Sequence, residues 1–108
     1  KTISLIIECE VKKISIEKAL PIGLIIVELV SNSMKYAFND KSIGIIKVEI
    51  KEEENIQYLR YLDNGNGFDF NKNNVKGLGL EIIKGLIDQL NGKVKLGNGG
   101  GFDLTIIF

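Results

Sequence analysis

The sequence predicts an α+β fold, a two-layer α/β sandwich in which two helices cover one face of a mixed, mostly antiparallel sheet. Three observations predict it. Apolar residues alternate at period two in five short stretches and recur at helical spacing in two longer ones. These elements follow in the order β, α, β, β, α, β, β. Two of the strand pairs are adjacent in sequence and joined by polar or glycine-rich turns, which favours antiparallel pairing with the helices on one side. No internal repeat or low-complexity tract interrupts the pattern.

The first strand is carried by Ile3, Leu5, Ile7, Cys9 and Val11, alternating with Ser4, Ile6, Glu8 and Glu10, which predicts one buried face. Residues 15–18 read as a polar break. A helix follows, with Glu17 and Pro21 in its first turn, where a proline costs little because its N–H would be unpaired. It runs to about Phe38 and stops at Asn39-Asp40. Residues 43–50 form the next strand, with Ile46, Val48 and Ile50 inward and Lys47, Glu49 and Lys51 outward. After a polar turn at 52–55, the strand at 56–62 leads into Asp63-Asn64-Gly65-Asn66-Gly67. Residues 71–74, Asn-Lys-Asn-Asn, read as a mobile polar loop. The second helix, about 78–90, buries Leu80, Ile83, Leu86, Ile87 and Leu90 and ends at Asn91-Gly92, a pair suited to a left-handed cap. Strands at 93–96 and 102–108, joined through the glycine-rich stretch 97–101, close the sheet.

Composition narrows the function. The 108 residues suffice for one domain and one core, residues 1–108. Fourteen basic and fourteen acidic side chains cancel, which argues against a nucleic-acid or acidic-membrane partner. The single cysteine, Cys9, allows no disulfide framework and suits a reducing compartment. No stretch is long and apolar enough to span a bilayer, and no secretory signal is visible. The chain opens at Lys1 directly on a strand pattern, which reads as a domain excised from a longer, cytoplasmic or membrane-anchored parent and itself lying in the cytoplasm without inserting in the membrane. There is no histidine, so histidine acid–base or nucleophilic chemistry by these residues is excluded.

Three stretches carry chemistry. In the first helix Ile22, Ile26, Leu29, Val30, Ser33, Met34 and Ala37 form a stripe, apolar apart from one serine. Glu28, Asn32 and Lys35 fall opposite it at i, i+4 and i+7, with Tyr36 on the shoulder. That column suits a metal–phosphate group, but taken alone it reads more simply as a solvated helix face. Asp63 alternates with Leu59 and Tyr61, so its carboxylate points toward the interior, where it needs a hydrogen-bond donor. An adenine amino group would serve, whereas the guanine oxygen would be repelled, and Gly65 and Gly67 would let the backbone approach the ring. An ordinary Asp-Asn-Gly turn is the plainer alternative. Finally, Gly77-Leu78-Gly79-Leu80 precedes the second helix, where free N–H groups and the dipole suit a phosphate. Neither a Walker loop nor a dinucleotide fingerprint is present.

In this order and spacing the three stretches resemble the ATP-binding boxes of the Bergerat-fold superfamily, which includes DNA gyrase, heat-shock chaperones and sensor histidine kinases. Glu28-Leu-Val-Ser-Asn32-Ser-Met-Lys35-Tyr36-Ala-Phe38 looks like the N box, and Asp63 to Gly67 and Gly77 to Leu80 look like the two glycine boxes. The Leu-Pro-Ile-Gly-Leu lead-in and final strand also fit the histidine kinases, across essentially the whole chain. The resemblance implies ATP and Mg²⁺ as cofactors. Asn32 would offer its side-chain oxygen to Mg²⁺ and Glu28 would polarise a nucleophile or hold a metal-bound water. Lys35 would meet phosphate, Tyr36 would pack near adenine and Asp63 would read its amino group. Gly65, Gly67, Gly77, Leu78, Gly79 and Leu80 would shape pocket and lid, with Lys72 and Lys76 as further phosphate candidates.

The implied activity is transfer of the γ-phosphate to a histidine on an absent upstream dimerisation segment, in cis or in trans within a homodimer, and onward to a response regulator. Alone, the chain would not autophosphorylate on histidine. Two features depart from the family. A Gly-Thr-x-Phe turn common among relatives reads Gly99-Gly100-Gly101-Phe102 here, without the threonine hydroxyl. The lid is short and lacks a phenylalanine-rich box, with Phe68 and Phe70 as partial substitutes. A serine kinase of the anti-sigma-factor type, a Bergerat ATPase and a nucleotide-sensing or protein-binding pseudokinase are the rival readings.

Overall fold

A computed structural model describes residues 2–66, 79–97 and 100–108. Five strands form one sheet in the order β1-β2-β3-β5-β4: β1 (Thr2–Cys9), β2 (Ile43–Glu53), β3 (Ile56–Asp63), β4 (Lys93–Leu96) and β5 (Asp103–Ile107). Between β1 and β2 run the helix α1 (Ile16–Asn32) and one π turn (Ser33–Ala37); α2 (Leu80–Gln89) precedes β4. The long crossover makes β1 and β2 parallel, and the other three pairs are antiparallel. The expected α+β sandwich is therefore the observed one.

Local chemistry explains the joints. The β2–β3 hairpin turns on Glu54 and Asn55 alone, both at positive φ (50° and 66°), which is the backbone that matches strand twist in a two-residue turn. This is tighter than the four-residue turn expected, because pairing extends to Glu53↔Ile56. At the end of α2, Asn91 takes φ 52°, its N–H donates to the Asp88 carbonyl, and the Gly92 N–H donates to the Ile87 carbonyl. That is the left-handed cap read from Asn91-Gly92.

Three expectations need correcting. The polar stretch 15–18 is not a break: Ser15 is the N-cap and its carbonyl accepts from the Lys18 and Ala19 N–H groups. Pro21 thus sits in the second turn, not the first. It offers no N–H to the Glu17 carbonyl, a tolerable loss because Glu17 is exposed to solvent.

The core holds Ile22, Ile25 and Leu29 of α1, Leu80, Ile83 and Ile87 of α2, the sheet residues Ile46, Val48, Leu59, Tyr61, Leu104 and Ile106, and Ala37, Phe38, Leu90 and Phe102 beside them. The first strand does not bury a face as expected. Leu5 and Ile7 share the helix-facing side with their partners Ile46 and Val48, yet are 48% and 61% exposed. β1 is an edge strand, and the buried sheet residues lie on β2, β3 and β5, so the helices cover the middle of the sheet and leave this edge open.

The outward aim expected of Glu49 is the observed one. It lies on the outer face but is only 8% exposed. Its cross-strand neighbour in β1 is Glu8, and like charges so placed repel. Lys47 and Lys51 bridge both carboxylates, with Lys51 Nζ 3.1 Å from Glu49 and 3.8 Å from Glu8. Burial works to raise the Glu49 pKa, but the Lys51 hydrogen bond and the charges of Lys51, Lys47 and Arg60 prevail and lower it. A lowered folded-state pKa stabilises the fold above the ordinary glutamate value and is lost as pH falls through the lowered one. Melts between pH about 7 and about 3 should therefore show a shallower acid decline for Glu49→Gln than for the parent chain, once other carboxylates are held constant. An identical acid limb would refute the role given to this cluster.

Candidate functional site

The site begins where α1 changes pitch. Through Asn32 the chain is α-helical; from Ser33 to Ala37 it widens to a π turn, which takes up an extra residue per turn and rotates the side chains that follow. The buried residues before it, Ile22, Ile25, Leu29 and Asn32, keep the ordinary three-four spacing, so the expected stripe is out of phase with the true one by about one residue. Met34, expected in the apolar stripe, is 52% exposed, and Asn32, expected on the polar face, is 3% exposed. Ile25 takes up the core position instead and is fully buried. Glu28 is half-buried and Lys35 is exposed, so the expected column divides into an inward carboxamide, an intermediate carboxylate and an outward ammonium. Tyr36 is 41% exposed.

Asp63, the last residue of β3, points to the helix side with Leu59 and Tyr61 and is 8% exposed, as alternation requires. Its carboxylate is held by three different parts of the chain. Oδ2 accepts from the Ser33 hydroxyl at 2.8 Å. Oδ1 accepts from the Gly65 N–H at 2.9 Å and the Phe102 N–H at 3.3 Å. The charge is thus buried with donors on both oxygens, which is what makes its burial affordable. Behind Ser33 lies the Tyr61 hydroxyl, 2.5 Å from Ser33 Oγ and 3.0 Å from the Leu29 carbonyl.

The turn after Asp63 is wedged between the π turn and the β4–β5 connection. Asn66 N–H donates to the Ala37 carbonyl, and the Asn64 side chain accepts from the Ile45 N–H at 2.7 Å. Gly65 approaches Ala37 so closely that a Cβ there would collide with its carbonyl oxygen. Its small size serves protein packing at this point. Gly101 is equally tight, against the Asp63 carbonyl oxygen. Gly79 takes φ 63° just before α2, and a Cβ there would lie 2.6 Å from Glu28 Oε2. Glu28 therefore faces the start of α2, beside the buried Leu80.

Gly67, Phe68, Phe70, Lys72, Lys76, Gly77 and Leu78 lie outside the described residues. Among the described ones no cluster of three carboxylate or thiolate ligands could cage a metal. A hollow of about 380 Å³ is lined by Lys41, Asp63, Asn64, Gly100 and Phe102, but includes neither Glu28 nor Asn32.

Sequence reasoning missed Ser33, Tyr61 and the Gly101-Phe102 backbone as partners of Asp63. Ser33 did carry a signal, as the one hydroxyl in an apolar stripe. Gly100 is exposed, with open space around a Cβ, so it does not crowd the site. The contrast between adjacent glycines is testable. Gly101→Ala should destabilise the fold by about 2 kcal/mol through overpacking against Asp63, while Gly100→Ala should be nearly neutral. Thermal or urea unfolding of both variants checks this, and equal effects would contradict the packing described.

No curated protein matches the sequence. Solved structures do match the fold. The Erythrobacter litoralis EL346 blue-light activated histidine kinase superposes with a TM-score of 0.85 at 23% identity, over 98% of this chain and 35% of that one. The histidine kinase domain of that protein gives 0.80 at 22%, over 97% of this chain and 50% of that one. The Acinetobacter baumannii histidine kinase AdeS gives 0.77 at 20%, over 98% and 53%. This chain thus spans roughly a third to a half of those chains, and the likeness establishes the Bergerat sandwich. The family model of the histidine kinase-, DNA gyrase B- and HSP90-like ATPases matches residues 17–108, from the first turn of α1 to the end of the sequence, and the chain belongs to that family.

Proposed function

We propose that this chain binds Mg·ATP through the Asp63 and N-box region and presents the γ-phosphate to a histidine on a dimerisation segment outside it. The observation that carries the reading is Asp63: a buried carboxylate, fixed from three sides, one hydrogen bond from the helix that bears Glu28 and Asn32. Family membership supports ATP binding and a kinase or ATPase role. The absence of histidine from the 108 residues requires an acceptor elsewhere.

Within this reading each residue has a task. Asp63 accepts from the purine amino group; its oxygens have lone-pair capacity beyond the three bonds they already make. Tyr36 flanks the ring. Lys35 reaches phosphate oxygens, and the N-terminus of α2, with Gly79 and Leu80, receives phosphate through backbone N–H groups and the helix dipole. Gly67, Gly77 and Leu78, outside the described residues, are the other glycine-box positions this reading assigns to nucleotide binding. Asn32 would hold Mg²⁺ through its side-chain oxygen, a donor set that fits an ion which prefers oxygen and keeps most of its ligands as water and phosphate. Bound there, Mg²⁺ neutralises phosphate charge. Glu28 orients the incoming nucleophile.

Phosphoryl transfer asks mainly for positioning and charge neutralisation, which this set supplies without a histidine of its own. The chain would act as one domain of a longer cytoplasmic or membrane-anchored protein. The phosphohistidine would pass its phosphate to a response regulator, making the parent a phosphoprotein of a two-component system.

Calorimetric titration with ATP, ADP and GTP, with and without Mg²⁺, tests the reading. ATP should bind in preference to GTP. Asp63→Ala should weaken ATP by roughly tenfold to a hundredfold, the worth of a hydrogen bond to a charged group, and Asn32→Ala should remove the magnesium dependence. Phosphate should then appear on a histidine-bearing dimerisation helix supplied in trans. A folded chain that binds no nucleotide would favour the pseudokinase, and transfer only to a partner's serine would favour the anti-sigma type.

A further inference from the structure

Ser33 is 2% exposed, so its hydroxyl has to find partners inside the protein. It has two, Asp63 Oδ2 at 2.8 Å and Tyr61 Oη at 2.5 Å, and Tyr61 Oη lies in turn 3.0 Å from the Leu29 carbonyl oxygen. Three contacts share two hydroxyl protons, because carbonyls and ionised carboxylates only accept. If Ser33 donates to Asp63 and Tyr61 to Leu29, two unprotonated oxygen faces meet at 2.5 Å and repel. The distribution that puts a proton in both of the shortest contacts is a one-way chain, Tyr61 to Ser33 to Asp63. The Leu29 carbonyl loses little by it, since it already accepts the Ser33 backbone N–H at the end of α1.

The reverse chain, from Asp63 through Ser33 and Tyr61 to Leu29, needs a neutral carboxyl. Two backbone N–H groups, those of Gly65 and Phe102, already point at Oδ1, an arrangement suited to a carboxylate. Tyr61 also keeps its proton firmly. Burial raises its pKa well above the ordinary phenol value, against the effect of the Ser33 bond and together with that of the Asp63 charge.

We propose that Ser33, backed by Tyr61, holds Asp63 as a fixed, acceptor-only carboxylate, and that this polarity selects a purine bearing an exocyclic amino group over one bearing oxygen. The inference rests on the nucleotide reading above. Ser33 and Tyr61 are positioning residues: they act through Asp63.

The test is the ratio of ATP to ITP affinity, since inosine carries oxygen where adenosine carries the amino group. The parent chain should prefer ATP. Ser33→Ala should lower the ratio by about tenfold, mainly through weaker ATP binding. Tyr61→Phe keeps the ring in the core and should lower it by less, about threefold. A merely structural role would weaken both nucleotides alike and leave the ratio unchanged. A folded Ser33→Ala with the parent's ratio overturns the proposal. Should Ser33→Ala fail to fold, an unchanged ratio in Tyr61→Phe overturns it instead. A parent chain that binds ATP and ITP equally refutes this inference while leaving nucleotide binding intact, whereas one that binds neither refutes the nucleotide reading as well.

Discussion

The fold is arranged around the desolvation of one carboxylate. Burying Asp63 would be prohibitive without donors, and no single segment supplies them. The hydroxyl comes from Ser33 in the π turn, one N–H from Gly65 in the turn that follows β3, and the other from Phe102 just before β5. These three segments are 30, 2 and 39 residues from Asp63 in sequence. Satisfying the charge therefore demands that α1, β3 and β5 be docked in one register. A polar group of this kind binds specificity of structure to the capacity to recognise a ligand, because its donors orient it whether or not a ligand is bound.

The π turn follows from the same demand. Ser33 and Ala37 are both buried, and Ala37 supplies the carbonyl on which the Asn66 N–H rests. Ser33 is still placed by the α-helical bond from its N–H to the Leu29 carbonyl, and the widening acts on the residues after it. Ser33 faces Asp63 and Ala37 faces Gly65, while Met34 lies in solvent. Single π turns inside α-helices are often found at functional sites, and here the geometric reason is visible: one helix has to meet a core, a buried charge and a neighbouring turn in succession. Gly65, Gly101 and Gly79 are small for related reasons, each being where another segment comes within contact of its backbone.

Away from this junction the molecule relies on ordinary packing. The two helices bury apolar stripes on the middle of the sheet and leave the parallel edge strand partly bare. The outer face substitutes charge pairing for cover. The Glu8–Lys47–Glu49–Lys51 cluster and the Arg60–Asp103 pair, with two hydrogen bonds at 3.2 and 3.0 Å, shield backbone and aliphatic stems without a second layer.

The element order, the two-layer class, the inward aim of Asp63 and the left-handed cap at Asn91 were all determined by the sequence alone, because each depends on local periodicity or on the backbone preference of a few neighbouring residues. So were the three motifs whose order pointed to the family. The tertiary structure alone decided that the helix widens over Ser33–Ala37, that β1 stays exposed, that Glu49 is covered, and that Ser33 and Tyr61 stand behind Asp63. Those outcomes depend on a change of helical pitch and on contacts between segments tens of residues apart. Neither leaves a trace in the alternation of apolar and polar residues, since the periodicity of a segment records which side faces the core and not what awaits it there.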